Sequence, residues 1–166
     1  MRWWVVEQDD PGSPTALALI ERHLAFARAN SPPEDVHALE VTDLQDRDVT
    51  LFGIRMGDEL VGVGALKQLD EGHGEIKSMH TAEGARGRGV GRAMLDHLLA
   101  VARARGYGRV SLETGTMAAF APARALYRAA GFVACEPFAG YGASVNSVCM
   151  TLELERGDEA SPGRRR

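Results

Sequence analysis

The chain has 166 residues, which is the usual size of one compact domain and too short for two domains with separate cores. Its composition, 45% hydrophobic and 25% charged residues, excludes disorder over the whole chain. A net charge of -4 excludes a protein whose main task is to neutralise nucleic-acid phosphates over a broad basic face, although it allows a small basic pocket. We expect one domain over residues 1–156, a disordered tail over 157–166, and no nucleic-acid partner.

Cysteines, histidines and apolar runs set further limits. Two cysteines, Cys135 and Cys149, are too few for a disulfide framework and lack the close spacing of a zinc site, and the histidines show no ligand spacing. No apolar run reaches the length of a membrane span, and residues 1–8 do not form a signal peptide. We therefore expect a cytoplasmic protein with reduced cysteines, no metal and no membrane partner. The sequence leaves open whether the protein forms a homodimer.

The first third of the chain predicts one strand and two helices. Residues 2–8 form an aromatic and β-branched run that predicts a strand. A serine followed by a proline then provides an N-cap and a first helical residue, which predicts a helix over 14–29. A Ser-Pro-Pro-Glu capping box predicts a second, short helix over 33–44.

The middle of the chain predicts three strands in succession. Apolar runs on both sides of Gly57-Asp58 predict a hairpin, because a two-residue loop of this type adopts the positive φ that a tight turn demands. After a turn at 70–74, residues 75–81 predict a further strand. Consecutive strands joined by short turns are typical of an antiparallel meander.

The remainder predicts two helices and three strands. We expect helices over 90–106 and 122–131, and strands over 109–114, 132–137 and 148–154. The order β-α-α-β-β-β-α-β-α-β-β is typical of an α+β fold with one mixed, mostly antiparallel, twisted sheet flanked by helices. The strands joined through the first of these two helices must be parallel.

The most specific feature is the run Arg-Gly-Arg-Gly-Val-Gly-Arg at 86–92, between a predicted strand and a predicted helix. A glycine-rich turn at a helix start directs free N–H groups at one point, which suits a phosphate group, and Arg86, Arg88 and Arg92 add guanidinium donors. The run lacks the Gly-Lys-Ser/Thr of a P-loop and the third glycine of a dinucleotide-binding fingerprint. A loop that only forms a tight corner stays open as an alternative.

Two motifs in this order resemble the GNAT superfamily of acetyl-CoA-dependent N-acetyltransferases. The run at 86–92 matches that family's Gln/Arg-x-x-Gly-x-Gly/Ala signature, and Leu-Tyr-Arg-Ala-Ala-Gly-Phe at 126–132 looks like its Leu-Tyr-x-x-x-Gly-Phe motif. The resemblance covers about half the chain, residues 75–154. It implies a GNAT-like acyltransferase fold in which the strands at 75–81 and 109–114 separate and hold acetyl-CoA in the gap.

The resemblance also implies the residues that bind acetyl-CoA. The end of the strand at 75–81 would pair with the pantetheine arm through its backbone, and the amides of the glycine-rich loop would hold the pyrophosphate. Phe120 departs from the family, because many members have an asparagine there that touches the cofactor. The binding residues implied are Met79, His80, Thr81, Arg86, Gly87, Arg88, Gly89, Val90, Gly91 and Arg92.

Acetyl transfer to an amine requires a base and an acid. Tyr127 takes the position where the family often has the general acid that protonates the leaving thiolate. Glu75 is the first candidate for the base, because it matches the glutamate of some histone-acetylating relatives. Glu113 is the second candidate and His80 the third, and strand register decides which carboxylate faces the cleft.

The acceptor pocket is expected between 29–37 and the loop 138–147. In this interpretation Phe138 and Tyr141 form an apolar wall, and Glu40, Asp43 or Glu113 attracts a cation. We expect an N-acetyltransferase that moves the acetyl group of acetyl-CoA to a primary amine of a small molecule by direct attack, with a carboxylate or a water-relayed base and Tyr127 as general acid. The alternatives are a protein amine as acceptor, a CoA-binding regulatory module without turnover, and a phosphoryl-transfer enzyme.

Overall fold

The computed structural model describes residues 3–37 and 40–155. This part of the chain contains one seven-stranded sheet and three α-helices, in agreement with the predicted fold class. The helices are α1 (Pro14–Asn30), α2 (Val90–Ala104) and α3 (Ala121–Ala129). The strands are β1 (Val5–Gln8), β2 (Val49–Met56), β3 (Glu59–Asp70), β4 (His73–Thr81), β5 (Arg109–Gly115), β6 (Val133–Cys135) and β7 (Ser147–Glu153).

The strand order in the sheet is β1-β2-β3-β4-β5-β7-β6. β4 and β5, which α2 connects, are parallel, and every other neighbouring pair is antiparallel. The predicted hairpin is confirmed, since Gly57 has a φ of 61° between β2 and β3. β6 is shorter than predicted, and the register places Cys135 opposite Cys149 of β7, both with free thiols.

The first helix forms for the predicted reason and the second does not form. Ser13 caps α1 by accepting a hydrogen bond from the N–H of Ala16 at 3.3 Å. The predicted helix over 33–44 is wrong, because its described residues form two 3₁₀ turns, Pro33–Asp35 and Asp43–Gln45. Neither turn has an apolar stripe, and burial of such a stripe is what offsets the cost of helix nucleation.

The core consists of two apolar layers, one on each face of the sheet. Side chains alternate along a strand, so Leu66 of β3 lies on the α2 face and Ala65 on the α1 face. The α2 layer includes Ile54, Ile76, Met94, Leu95, Leu98, Val110, Leu112 and Met150. The α1 layer includes Ala16, Leu19, Ile20, Leu24, Leu51 and Val63.

The α1 face becomes polar in the second half of the sheet. Lys77 of β4 is paired with Ala65, so it lies on the same face, as does Glu75 two residues earlier. The loop 136–146 packs over this region through Tyr141, whose hydroxyl bonds to both side chains. The polar region is therefore one wall of a cleft rather than part of the core.

Two of the predicted segments extend beyond the described residues. The tail over 157–166 and Arg2 of the first predicted strand lie outside the described residues. Over 3–37 and 40–155, none of the helices has both the length and the apolar character needed to cross a membrane.

Candidate active site

β4 and β5 separate soon after they meet. Their parallel pairing covers three residue pairs and ends at Glu75 and Ser111. Further along β4 the register with β3 shifts, and Ser78 has a φ of 55°, which is unusual for a residue with a Cβ. The edge of β4 beyond Glu75 therefore has no strand partner on its β5 side, and its peptide groups are open to a ligand.

A cleft of about 690 Å³ occupies this gap. Its walls come from α1, the second half of β4, the glycine-rich loop, the end of β5 and the start of α3. Arg88, which the sequence also predicted to bind the cofactor, is exposed and is not among the described residues that line the cleft. The predicted binding residues that do line it are Met79, His80, Thr81, Arg86, Gly87, Gly89, Val90, Gly91 and Arg92.

The glycine-rich loop presents backbone N–H groups at one end of the cleft. Gly87 and Gly89 have φ values of 74° and 88°, which residues with a Cβ rarely adopt. Gly89 is the N-cap of α2, and the first intrahelical bond joins the Ala93 N–H to the Gly89 carbonyl at 3.0 Å. The N–H groups of Val90 to Arg92 precede that bond and form an anion-binding position.

The two arginines of the loop that line the cleft differ in their surroundings. Arg86 donates to the carbonyl of Thr81 at 3.4 Å, and its guanidinium lies 5.8 Å from the centre of the Phe26 ring. Arg92 is paired with Asp96 one turn along α2, at 2.9 Å. Both side chains add positive charge beside the N-terminus of α2, which favours bound phosphate.

Tyr127 of α3 is buried in the wall of the cleft, with 7% of its surface exposed, and its ring contacts that of Phe132. Burial, and then the carboxylate of Glu113, raise the pKa of Tyr127 to about 12. The hydroxyl is consequently protonated at neutral pH and is able to donate that proton within the cleft.

Glu113 lies on β5 in the same wall and accepts a hydrogen bond from the hydroxyl of Ser147 at 2.7 Å. Burial raises the pKa of its carboxyl group, against the smaller opposing effects of that hydrogen bond and of the charges of His37 and Lys77. A carboxyl group whose pKa is displaced toward neutrality is a suitable proton acceptor.

Glu75 is also in the cleft wall, but its carboxylate is already paired. Its Oε1 atom accepts hydrogen bonds from the Lys77 ammonium at 3.1 Å and from the Tyr141 hydroxyl at 2.5 Å. The Lys77 ammonium also donates to the Tyr141 hydroxyl, at 2.6 Å. The Tyr141 hydroxyl is therefore part of a polar cluster, while its ring contacts that of Phe138 at 5.2 Å between centres, and Phe138 is not among the described lining residues.

His80 contacts the ring of His23 of α1, with the ring centres 5.3 Å apart. Burial lowers the pKa of each of them to about 4, and the neighbouring Arg86 charge adds to the effect at His80. Both rings are neutral at pH 7 and too weakly basic to take a proton from an ammonium group, so His80 is a poor candidate for the base.

Two segments beside the cleft, 31–37 and 138–147, are joined by hydrogen bonds. Asp35 accepts hydrogen bonds from Ser144 at 3.0 Å and from Asn146 at 3.3 Å, and the ring of His37 contacts that of Tyr141. This confirms that the segments 29–37 and 138–147 meet at the cleft.

The acidic residues expected at the acceptor pocket divide into two groups. Glu113 lines the cleft, whereas Glu40 and Asp43 are exposed and are not among its described lining residues. Glu40 is paired with Arg28 at 2.5 Å on the surface. Asp35, which the sequence analysis did not single out, takes their place because the absent second helix leaves this segment in a 3₁₀ turn beside the cleft. Among the described residues, no three His, Cys, Asp or Glu side chains form a group suited to a metal ion.

A family model described as the acetyltransferase (GNAT) family matches residues 15–132. The chain belongs to the GNAT family. The match covers nearly all of α1, strands β2 to β5, the glycine-rich loop and α3, and therefore most of the residues around the cleft. This GNAT protein is an acyltransferase, and the family uses acetyl-CoA as its acyl donor.

Similar proteins agree with this assignment. The chain is 47% identical to the uncharacterized N-acetyltransferase YsnE of Bacillus subtilis, over 90% of this chain and 99% of that protein. Its structure resembles that of an acyl-CoA N-acyltransferase from Klebsiella pneumoniae, with a TM-score of 0.76, 29% identity, and coverage of 92% of this chain and 98% of that one. A GNAT acetyltransferase from Elizabethkingia anophelis with acetyl-CoA bound shares the fold at a TM-score of 0.67 and 21% identity, over 91% and 98% of the two chains.

The sequence analysis missed the cluster of Glu75, Lys77 and Tyr141. The pairing of Glu75 with Lys77 was predictable from the sequence, because residues two apart on a strand share a face and Lys77 follows Glu75 at that spacing. The contribution of Tyr141 was not predictable from the sequence, since Tyr141 is 64 residues from Lys77 and lies on an irregular loop.

Proposed function

We propose that this GNAT protein transfers the acetyl group of acetyl-CoA to a primary amine of a small molecule by direct attack, with Tyr127 as general acid and Glu113 as general base. The observation that carries the proposal is the proximity of these two groups in the cleft where β4 and β5 separate. The carboxylate of Glu113 is close enough to Tyr127 to contribute to the raised pKa of its hydroxyl.

The residues at the loop end of the cleft fit acetyl-CoA. The free edge of β4 from Met79 to Thr81 offers peptide groups to the amides of the pantetheine arm, and the N-terminus of α2 with Arg86 suits the pyrophosphate. A Cβ added at Gly87 would meet no atom within 4 Å, so the space in front of the loop is open. When bound, acetyl-CoA supplies the thioester whose carbonyl carbon the amine attacks.

The chain's own groups would handle two protons in this reaction. Glu113 takes the proton that the amine must lose for its nitrogen to form the new C–N bond. Tyr127 gives its hydroxyl proton to the sulfur as the C–S bond breaks, so that CoA leaves as a thiol. Proton exchange with water then restores the carboxylate and the phenol, and the enzyme is ready for the next turnover.

The surroundings of the two glutamates favour Glu113 over Glu75 as the base. Glu75 is an acceptor for both an ammonium and a phenol, so its Oε1 atom is already occupied when an amine enters the cleft. Glu113 accepts one bond, from Ser147, and burial raises the pKa of its carboxyl group.

The bridge between Asp35 and the loop 136–146 favours a small acceptor over a polypeptide. A polypeptide would need an open groove for the residues that follow its reacting amine. Ser144 and Asn146 bond to Asp35 of the cleft wall, and the rings of His37 and Tyr141 are in contact, so a polypeptide at this position would have to pass these contacts.

The proposal is tested by release of CoA thiol from acetyl-CoA with a panel of primary amines and of short peptides. We expect turnover with at least one class of small amine, little with peptides, and a loss of turnover in Tyr127→Phe. CoA binding by calorimetry without turnover on any acceptor would instead identify a binding module.

A further inference from the structure

Lys77 is an unusual residue for the wall of a cleft. Its side chain is 9% exposed and that of its partner Glu75 is 3% exposed. Removing both charges from water costs free energy that apolar side chains of similar size would not cost, so a buried ion pair is a weak contribution to stability. A buried pair that lines a cleft is better explained by the recognition of a polar ligand.

The hydrogen bonds of Lys77 leave it able to bind a further group. An ammonium has three N–H donors, and two of them are engaged, by the Glu75 carboxylate at 3.1 Å and the Tyr141 hydroxyl at 2.6 Å. Among the described residues no third acceptor is bonded to the Lys77 ammonium. These two bonds also fix the position of a side chain that would otherwise sample many rotamers, so less entropy is lost when a ligand binds.

The charges along the cleft separate into two regions. We call the end of the cleft at the glycine-rich loop the phosphate end, and the end at Glu75 and Glu113 the acceptor end. Three of the described lysines and arginines line the cleft. Arg86 and Arg92 lie at the phosphate end, and Lys77 lies at the acceptor end. Glu113 and Asp35 lie at the same end, and the positive charge of Lys77 lowers the pKa of Glu113, against the larger effect of burial. The acceptor end therefore presents a cation and carboxylates in close proximity.

Strand register explains why Lys77 and Glu113 are neighbours. Glu75 and Ser111 form the last parallel pair of β4 and β5, and each strand places its next residue on this face two positions later. Those residues are Lys77 and Glu113, on opposite sides of the point where the strands separate. An acceptor that carries an amine and a carboxylate on one carbon would present them to Glu113 and Lys77 on the two sides of this gap.

We propose that the acceptor is an α-amino acid or a close analogue, whose carboxylate binds Lys77 while its amine lies against Glu113. This proposal rests on the N-acetyltransferase function proposed above and specifies the substrate class of the same site. A simple amine or a polyamine has no acceptor for the third N–H of the Lys77 ammonium, so the cluster favours acceptors that carry an acidic group.

The proposal is tested with matched acceptors that differ only in the acidic group. Each set contains a free amino acid, its carboxamide and its decarboxylated amine, for example leucine, leucinamide and isoamylamine, and sets with polar, acidic and aromatic side chains cover the amino-acid classes. Because hydrogen bonds to charged groups contribute about 1.5–3 kcal/mol, we expect kcat/KM for the preferred acid to exceed that of its two analogues by roughly 10- to 100-fold.

Substitutions at Lys77 show whether this residue is responsible. In Lys77→Met the preference for the acid over its carboxamide is lost through a higher KM for the acid, and in Lys77→Arg it is largely retained. The double variant Lys77→Met/Glu75→Gln gives the same result without an unpaired buried carboxylate, which protects the test from a folding defect. The control is Lys67→Met, the other lysine of the chain, which lies on β3 and is not among the described residues lining the cleft.

Each outcome decides between the proposals. Equal or better turnover of the carboxamides or amines, or a preference for acids that survives Lys77→Met, overturns the amino-acid proposal and leaves the acetyltransferase function intact. Absence of turnover on every set, with acetyl-CoA binding retained, overturns both. A preference for acids that Lys77→Met abolishes and Lys67→Met preserves supports the assignment of Lys77.

Discussion

The two ends of the cleft are built in different ways. At the phosphate end, residues 79–92 are contiguous in sequence, and the donors are mainly backbone N–H groups that follow from glycines and a helix start. At the acceptor end, side chains meet from distant positions, 64 residues apart for Lys77 and Tyr141 and 109 for Asp35 and Ser144. A site made of backbone leaves a short motif in the sequence, and a site made of distant side chains does not.

The two ends also differ in how their charges are exposed. Arg86 and Arg92 are exposed, so salt screens their attraction for phosphate, whereas Lys77 and Glu75 are buried and are screened little. We expect the KM for acetyl-CoA to rise with ionic strength more than the KM for the acceptor does. Under the proposed function, the exposed charges would bind the common cosubstrate and the buried ones would select the acceptor.

The largest effect is expected at the junction of the two ends, in Tyr127→Phe. Loss of the proton donor lowers kcat by roughly 100-fold or more and leaves the KM for acetyl-CoA nearly unchanged. Thiol-release assays at saturating acetyl-CoA measure this change in kcat. Tyr107→Phe is the matched control, because Tyr107 is another buried tyrosine, its hydroxyl has no hydrogen-bond partner within 3–37 and 40–155, and it is not among the described residues that line the cleft. Equal losses in the two variants would remove the role assigned to Tyr127.

The next largest effect is expected on kcat and its pH profile when the two glutamates of the acceptor end, Glu113 and Glu75, are replaced by glutamine. A base must be ionised, and since the pKa of Glu113 is raised, kcat falls as the pH drops through that raised value. Glu113→Gln lowers kcat by roughly 100-fold and removes this acidic limb from the pH profile. Glu75→Gln should change the KM for the acceptor and keep the limb. If the limb disappears in Glu75→Gln and persists in Glu113→Gln, the assignment of the base is reversed.

A smaller effect isolates the backbone geometry of the phosphate end. Gly87 has a φ of 74° and an added Cβ there meets nothing within 4 Å, so alanine is penalised by conformation alone. Gly87→Ala costs about 1–2 kcal/mol, lowers Tm and raises the KM for acetyl-CoA without changing that for the acceptor. Gly84→Ala, equally open and without a positive φ, is the control and should resemble the wild type. A similar change in both variants would mean that φ is not the cause.

The smallest effect concerns the neutral histidine pair between the two ends. The pKa of His23 is about 4 in the folded protein and near 6.5 in an unfolded chain, so the unfolded state binds a proton first as the pH falls. Stability is therefore lost between about pH 6.5 and pH 4. Thermal unfolding at pH 7 and pH 5 should show a smaller loss of Tm in His23→Gln than in the wild type. An identical loss would show that His23 does not contribute.

Particular elements show how far the sequence could be interpreted. α1 and α2 were predicted closely, because a cap, a proline or glycine at the boundary and a periodic apolar face are local signals. The helix over 33–44 was predicted from a capping box alone and did not form, because a local cap does not replace the burial of an apolar face. Its absence places Asp35 at the cleft in place of Glu40 and Asp43.

The sequence by itself determined the fold class, the family motifs, the phosphate end of the cleft and the tyrosine in its wall, since each depends on residues close together in the chain. Only the tertiary structure decided that the Glu75 carboxylate is bonded to Lys77 and Tyr141, whereas that of Glu113 is bonded to Ser147. Strand register and loop closure bring those groups together, and register depends on the pairing of whole strands rather than on any local pattern.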